Sequence, residues 1–247
     1  MRACNVIVEV TRRCNMECLH CLRGNPQPVK MQEKYVRYFL QNFEYISTIT
    51  LTGGEPSLPS GMDGIDLVIE ALRGWHIDLG NFYIATNGKR ITDRFVAQLR
   101  HLYFMCSDNE VSRVDLSNDK YHDRCSSWVP DKLDSLNYEL AEDLVGVKTP
   151  TSSRFVWEAT LLNQGRAETN QLGQKDYDGE EILWKVSEYD EDVFETSEGS
   201  LYLNCRGNVI RGCDFSYIDQ DKPENILCRY DTGDLERVIR EKGVKAD

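Results

Sequence analysis

The sequence lacks any apolar run approaching the ~18 residues of a membrane span. Its first residues, Met1-Arg2-Ala3-Cys4-Asn5, lack the apolar core of a signal peptide. Positive charge is also short: 29 Lys and Arg stand against 41 Asp and Glu, for a formal net charge of −12. An acidic surface of that size argues against a nucleic-acid backbone or an anionic membrane as the main partner. Neither an internal repeat nor a low-complexity segment breaks the chain. A cytoplasmic protein is expected, so its nine cysteines point to metal or redox roles before disulfides. At 247 residues the length suits one α/β domain, or one domain with a small appendage.

Against these absences stands one concentrated feature. Cys14-Asn15-Met16-Glu17-Cys18-Leu19-His20-Cys21 carries three cysteines in eight residues, directly after the β-branched run Asn5–Val10. Thiolates this close in sequence can converge from one loop on a metal or an iron–sulfur cluster. Zinc would need a fourth ligand, for which His20 is the local candidate. An iron–sulfur cluster needs only cysteines, and three of them leave one iron of a four-iron cluster open. Three reduced, buried thiols are the bland alternative.

The apolar runs then alternate with helical spacing. Strands are expected at Asn5–Val10, Ile46–Leu51, Phe82–Ala85, Val111–Leu116 and Phe155–Leu162, with a weak sixth at Ile182–Val186. Helices are expected over Met31–Phe43, Ile65–Leu72, Phe95–Leu102 (capped by Thr92) and from about Lys132 to Leu144. This order implies right-handed βαβ units and a mainly parallel sheet. Gly53-Gly54-Glu55-Pro56, Thr86-Asn87-Gly88 and Ser117-Asn118-Asp119 each follow a strand, as the cysteine loop does. All four therefore fall at the C-terminal end of the sheet, where such folds bind ligands. Beyond about residue 187 the pattern changes: an acidic connection leads to a hairpin around Gly207-Asn208 and a short helix at Asp234–Arg240. The expected division is a core over residues 1–187 and a C-terminal extension over 188–247.

The C-x3-C-x2-C spacing at Cys14, Cys18 and Cys21, joined to Gly-Gly-Glu-Pro at the end of the next strand, resembles the radical S-adenosylmethionine (radical SAM) superfamily over roughly residues 5–166. The resemblance implies a partial (β/α)6 TIM-like barrel holding a 4Fe-4S cluster and S-adenosylmethionine. It implies Cys14, Cys18 and Cys21 as cluster ligands. It implies Gly53, Gly54 and Glu55 as the segment receiving the cofactor's amino group, where glycines let a ligand approach the backbone. His20 would then neighbour the adenine, a place commonly aromatic in the family, or remain a plain surface imidazole. Asn87 matches the third-strand ending, and Ser117 stands where the ribose is contacted. Arg166, in Gly165-Arg166-Ala167, is placed to bind the cofactor carboxylate.

The implied activity is reductive cleavage of S-adenosylmethionine to a 5′-deoxyadenosyl radical, which abstracts hydrogen from a small-molecule or peptide substrate. An electron donor such as flavodoxin or ferredoxin is the implied partner. Strand one starts near residue 5, so the leader-binding module of many peptide-modifying members is expected to be absent. A glycyl-radical-enzyme activase is the alternative within the family. A non-catalytic metal or iron–sulfur binding protein is the alternative outside it, and it leaves Gly-Gly-Glu-Pro without a role. Cys205, Cys213 and Cys228 resemble an auxiliary-cluster extension, with glycine-to-cysteine spacing off by one and a fourth ligand unassigned. Cys4, Cys106 and Cys125 are the thiols left to supply it.

Overall fold

The computed structural model describes residues 1–117, 129–140, 144–148, 161–176, 185–190, 193–196, 199–231, 235–242 and 244–245. Five parallel strands run in sequence order: β1 (Arg2–Thr11), β2 (Tyr45–Gly53), β3 (Asp78–Thr86), β4 (Arg113–Ser117) and β5 (Val145–Lys148). Helices α1 (Glu33–Leu40), α2 (Pro59–Gly74), α3 (Asp93–Met105) and α4 (Asp131–Glu139) lie between them. Thr92 caps α3 as expected, its side chain accepting from the Phe95 N–H.

In-register partners of parallel strands share a face. One face carries Val8, Leu51, Ile84, Val114 and Val145 in a row. These side chains are buried in the main core with apolar residues of the four helices, such as Phe39, Ile65, Leu99 and Leu136. The row one residue earlier, on the opposite face, reads Ile7, Thr50, Tyr83 and Arg113. Hydrophobic burial therefore fixes which face the helices cover and leaves a polar inner face. There Tyr83 donates to Asp115 at 2.9 Å, and Arg113 pairs with the same carboxylate.

The expected α/β class and mainly parallel sheet are present, and the sheet does not close among the described residues. The fifth strand is a correction. It is Val145–Lys148, whereas a helix was expected to run to Leu144 and the fifth strand to begin at Phe155. α4 ends at Glu139, and Asn137 exchanges two hydrogen bonds with the Val145 backbone, which turns the chain into β5. Residues 155–160 of the expected strand lie outside the described residues. Leu162 makes only an isolated bridge to Lys175.

The C-terminal part continues the same sheet on the other side of β1. β6 (Lys185–Asp190) runs across the expected boundary at residue 187 and pairs antiparallel with β7 (Val193–Thr196). β7 and β8 (Leu201–Leu203) pair in parallel with successive parts of β1. β9 (Asn208–Ile210) and β10 (Ile226–Arg229) complete that edge antiparallel. The β8–β9 turn is the expected hairpin, with Gly207 in the left-handed region at φ +79°. A side chain at Gly207 would also strike the rings of Tyr35 and Tyr230.

Candidate functional site

The C-terminal ends of β1, β2 and β3 meet at one edge of the sheet, and backbone hydrogen bonds bring their loops together there. Gly54 N–H donates to the Thr11 carbonyl at 2.7 Å, and Glu55 N–H to the Arg13 carbonyl at 2.8 Å. The approach is close enough to require glycine twice. A Cβ on Gly53, which has φ +133°, would stand 2.0 Å from the Thr11 carbonyl oxygen; one on Gly54 would stand 2.1 Å from that of Arg13. The Gly-Gly pair is thus pressed against the start of the cysteine loop.

Glu55 is buried, and its carboxylate ties the ends of β2 and β3 together. Oε1 accepts from the Ser57 N–H, the Ser57 hydroxyl and the Thr86 hydroxyl; Oε2 accepts from the Asn87 N–H at 2.8 Å. Asn87 in turn donates through Nδ2 to Asn15 of the cysteine loop, also at 2.8 Å. The three motifs form one hydrogen-bonded unit. Cys14, Cys18, Cys21 and His20 are half-buried on it. Burial pushes the Cys14 thiol up, while the backbone around Met16 and Asn15 pulls it down.

A second clamp comes from α5 (Gly165–Thr169). The Arg166 backbone N–H donates to the Cys21 carbonyl at 2.9 Å and its Nε to the Cys18 carbonyl at 3.1 Å, while Nη1 reaches Asn25. Asn170 donates to the Leu19 carbonyl at 3.1 Å. Gly165, at φ +57°, lies so near the loop that a Cβ would meet the Leu22 carbonyl oxygen at 2.4 Å. Arg166 was expected on a cofactor carboxylate; the structure places it on the backbone of the cysteine loop. Asn170 carries no sequence signal, being a lone amide just past a five-residue helix. Ser117 ends β4 half-buried, and the Asn118–Asp123 segment expected to follow it lies outside the described residues.

Behind the loop, Arg12 is fully buried. It donates Nε to Glu9 at 2.6 Å, Nη1 to Gln27 and Asp221, and Nη2 to Gln220 and Asp221. Burial works against its charge, and Glu9 and Asp221 more than offset that, raising the pKa. Glu9 also accepts from the Tyr202 hydroxyl and the Cys205 N–H. Cys205 donates its thiol to the Glu9 carbonyl, which occupies it within this network. Burial pushes that thiol well up, the reverse of what a ready ligand needs. Cys228 is buried in β10 and Cys213 is half-buried, with its thiol pushed up to about 12 by burial and Asp214. Cys125 lies outside the described residues. Among the described residues no three His, Cys, Asp or Glu side chains converge tightly enough for a single metal ion, and no helix is long and apolar enough to cross a membrane.

Comparison with known proteins bears on this arrangement. A family model described as the Radical SAM superfamily matches residues 8–139, more than half of the chain. The GTP 3',8-cyclase of Nautilia profundicola is 30% identical over 138 residues, 53% of this chain and 39% of that protein. The chain therefore spans well under half the length of that curated relative. A solved structure of native anSMEcpe with bound AdoMet and a peptide is alike in fold, with a TM-score of 0.53 at 13% identity, covering 98% of this chain and 82% of that one.

Proposed function

The chain belongs to the radical SAM superfamily, and on that premise we propose that its cysteine loop and the Gly53–Glu55 edge bind a 4Fe-4S cluster and S-adenosylmethionine for radical chemistry on a small-molecule or peptide substrate. The observation that carries this reading is the joining of three motifs by hydrogen bonds. Asn15 of the loop, Glu55 of the second strand end and Asn87 of the third are linked in series.

The donor set fits the group. A zinc ion draws four ligands to one point, whereas a four-iron cluster takes each thiolate at a separate corner. Three half-buried cysteines in one eight-residue loop, none of them converging with two other donors on a single ion among the described residues, suit the cluster. When bound, the cluster and S-adenosylmethionine supply the one-electron cleavage that yields a 5′-deoxyadenosyl radical for hydrogen abstraction. The chain's own part is placement. Arg166 and Asn170 fix the carbonyls of Cys18, Cys21 and Leu19, so the thiols leave a held backbone. Gly53 and Gly54 let the β2 end press against the start of the cysteine loop, where a side chain would strike the Thr11 and Arg13 carbonyls. Glu55 Oε1 is filled by three donors, while Oε2 takes one from the protein and keeps a lone pair for an ammonium group. His20, Asn87 and Ser117 border the same edge and are the proposed neighbours of adenine and ribose. Arg166 holds the loop, and the cofactor carboxylate is its further proposed contact.

Substrate identity stays at the level of small molecule or peptide. The relative named for GTP and the peptide-bound structure support one class each. A flavodoxin or ferredoxin of the cytosol is the proposed electron source. The test is Cys18→Ala. After anaerobic reconstitution this variant is expected to lose bound iron and all 5′-deoxyadenosine formation. Retained cleavage would remove Cys18 from the ligand set.

A further inference from the structure

The helices cover one face of the sheet, and the opposite, polar face carries a cation that the protein engages on one side only. Arg113 opens β4 on that inner face. Its Nε donates to Asp115, two residues on along the same face. The Asp115 carboxylate is buried and accepts a second hydrogen bond, from the Tyr83 hydroxyl at 2.9 Å. Burial and the Asp115 charge hold the Tyr83 phenol above its usual range, so it stays a donor at neutral pH. Asp115 is fixed from two sides and fixes the guanidinium in turn.

The tip of Arg113 lies over β5, where Gly146 pairs with Asp115. A Cβ on Gly146 would stand 2.6 Å from Nη2 and 3.2 Å from Cζ, so the bare backbone leaves the guanidinium the room it occupies. Nη1 and Nη2 donate to no acceptor among the described residues. Arg12 differs, since both of its Nη atoms reach carboxylate or amide oxygens. The Arg113 side chain is 27% exposed, which leaves its outer fork reachable from the inner face.

We propose that Arg113, set in place by Asp115 and Tyr83, anchors a carboxylate of the substrate on the inner face of the sheet. The assignment rests on the reading of the neighbouring strand ends as the cofactor site. A guanidinium offers two parallel N–H groups to the two oxygens of a carboxylate. Asp115 already balances one charge, so a singly charged acid suits the place better than a dianion such as a phosphate ester. Along β4, Asp115 stands two residues, about 7 Å, short of Ser117 at the cofactor edge. A substrate gripped there presents to that edge a carbon several bonds from its acid group. Arg113 is the binding residue; Tyr83 and Asp115 are positioning residues behind it.

The experiment titrates para-fluorobenzoate onto the full chain carrying the cluster and saturating S-adenosylmethionine, before any reductant, and follows the fluorine NMR line. The saturating cofactor keeps its own carboxylate site filled. Wild type is expected to broaden the line of the benzoate and not that of the neutral para-fluorobenzamide. At equal iron content, Arg113→Gln is expected to weaken benzoate binding roughly tenfold or more, the loss of charged hydrogen bonds. Gly146→Ala keeps every charge but pushes the fork aside, and it serves where Arg113→Gln fails to fold; it too is expected to weaken binding. Benzoate binding equal to wild type in a folded variant overturns the proposal. Displacement of the benzoate by inorganic phosphate more readily than by acetate would assign the fork to a phosphate ester and overturn the carboxylate. A wild type that grips benzoate through Arg113 yet never cleaves S-adenosylmethionine once reduced overturns the cofactor reading, and the substrate role with it.

Discussion

Arg12→Ala is expected to lower the unfolding free energy by about 3–5 kcal/mol, the cost of breaking a buried ion pair from one side. Glu9 and Arg12 are both fully buried, so alanine leaves the Glu9 carboxylate with Tyr202 and the Cys205 N–H as its hydrogen-bond donors among the described residues. Asp221 fares better, because it is partly exposed and keeps Arg206 at 2.8 Å. The loss is therefore assigned chiefly to Glu9. Urea unfolding of the metal-free chain measures it, and the double change Glu9→Leu with Arg12→Met separates the causes. If the uncompensated carboxylate dominates, the double variant is more stable than Arg12→Ala alone. A double variant that loses the sum of the two single effects would show that Glu9 and Arg12 are not coupled and would place the stabilisation in their other contacts. Gln27, Gln220 and Asp221 all bond to Arg12, so the same change also loosens the base of the cysteine loop from the C-terminal segment.

Gly54→Ala is expected to abolish stable cluster loading and to cost about 1–3 kcal/mol of folding stability, the range for forcing atoms into a filled site. The added Cβ would stand 2.1 Å from the Arg13 carbonyl oxygen and 2.6 Å from its carbon. Those atoms are backbone and cannot swing aside. Relief requires parting the strand end from the loop, which breaks the bonds from Gly54 to Thr11 and from Glu55 to Arg13. Iron retained after reconstitution and gel filtration is the readout. Gly74→Ala is the control: its Cβ meets nothing within 4 Å at the end of a helix, so normal loading is expected. Equal loading in both variants would show that the close approach at Gly54 is not needed.

The three strand-end motifs that the described residues hold in full, the cysteine loop, Gly53–Pro56 and Thr86–Gly88, were legible because each follows a run of β-branched or apolar residues, and parallel topology sends such ends to one edge. What their side chains do there was not legible. Glu55 reads as a ligand group in sequence, yet its carboxylate collects donors from Ser57, Thr86 and Asn87. Arg166 reads as an anion binder, and the sequence does not show that it also donates to the Cys18 carbonyl, 148 residues away in the chain. Long-range bonds of this kind leave no local pattern. β5 was missed for a different reason. Val145-Gly146-Val147-Lys148 is too short to show alternation, and its glycine counts against a strand. A Cβ at that glycine would stand 2.6 Å from the Arg113 guanidinium, which would have to shift.

Anaerobic reconstitution of the intact chain, followed by iron and sulfide counts and then by S-adenosylmethionine with a reductant, tests the account most directly. About four irons per chain and formation of 5′-deoxyadenosine are the predicted result. Zinc in place of iron, or a loaded cluster that never cleaves the cofactor, would contradict it.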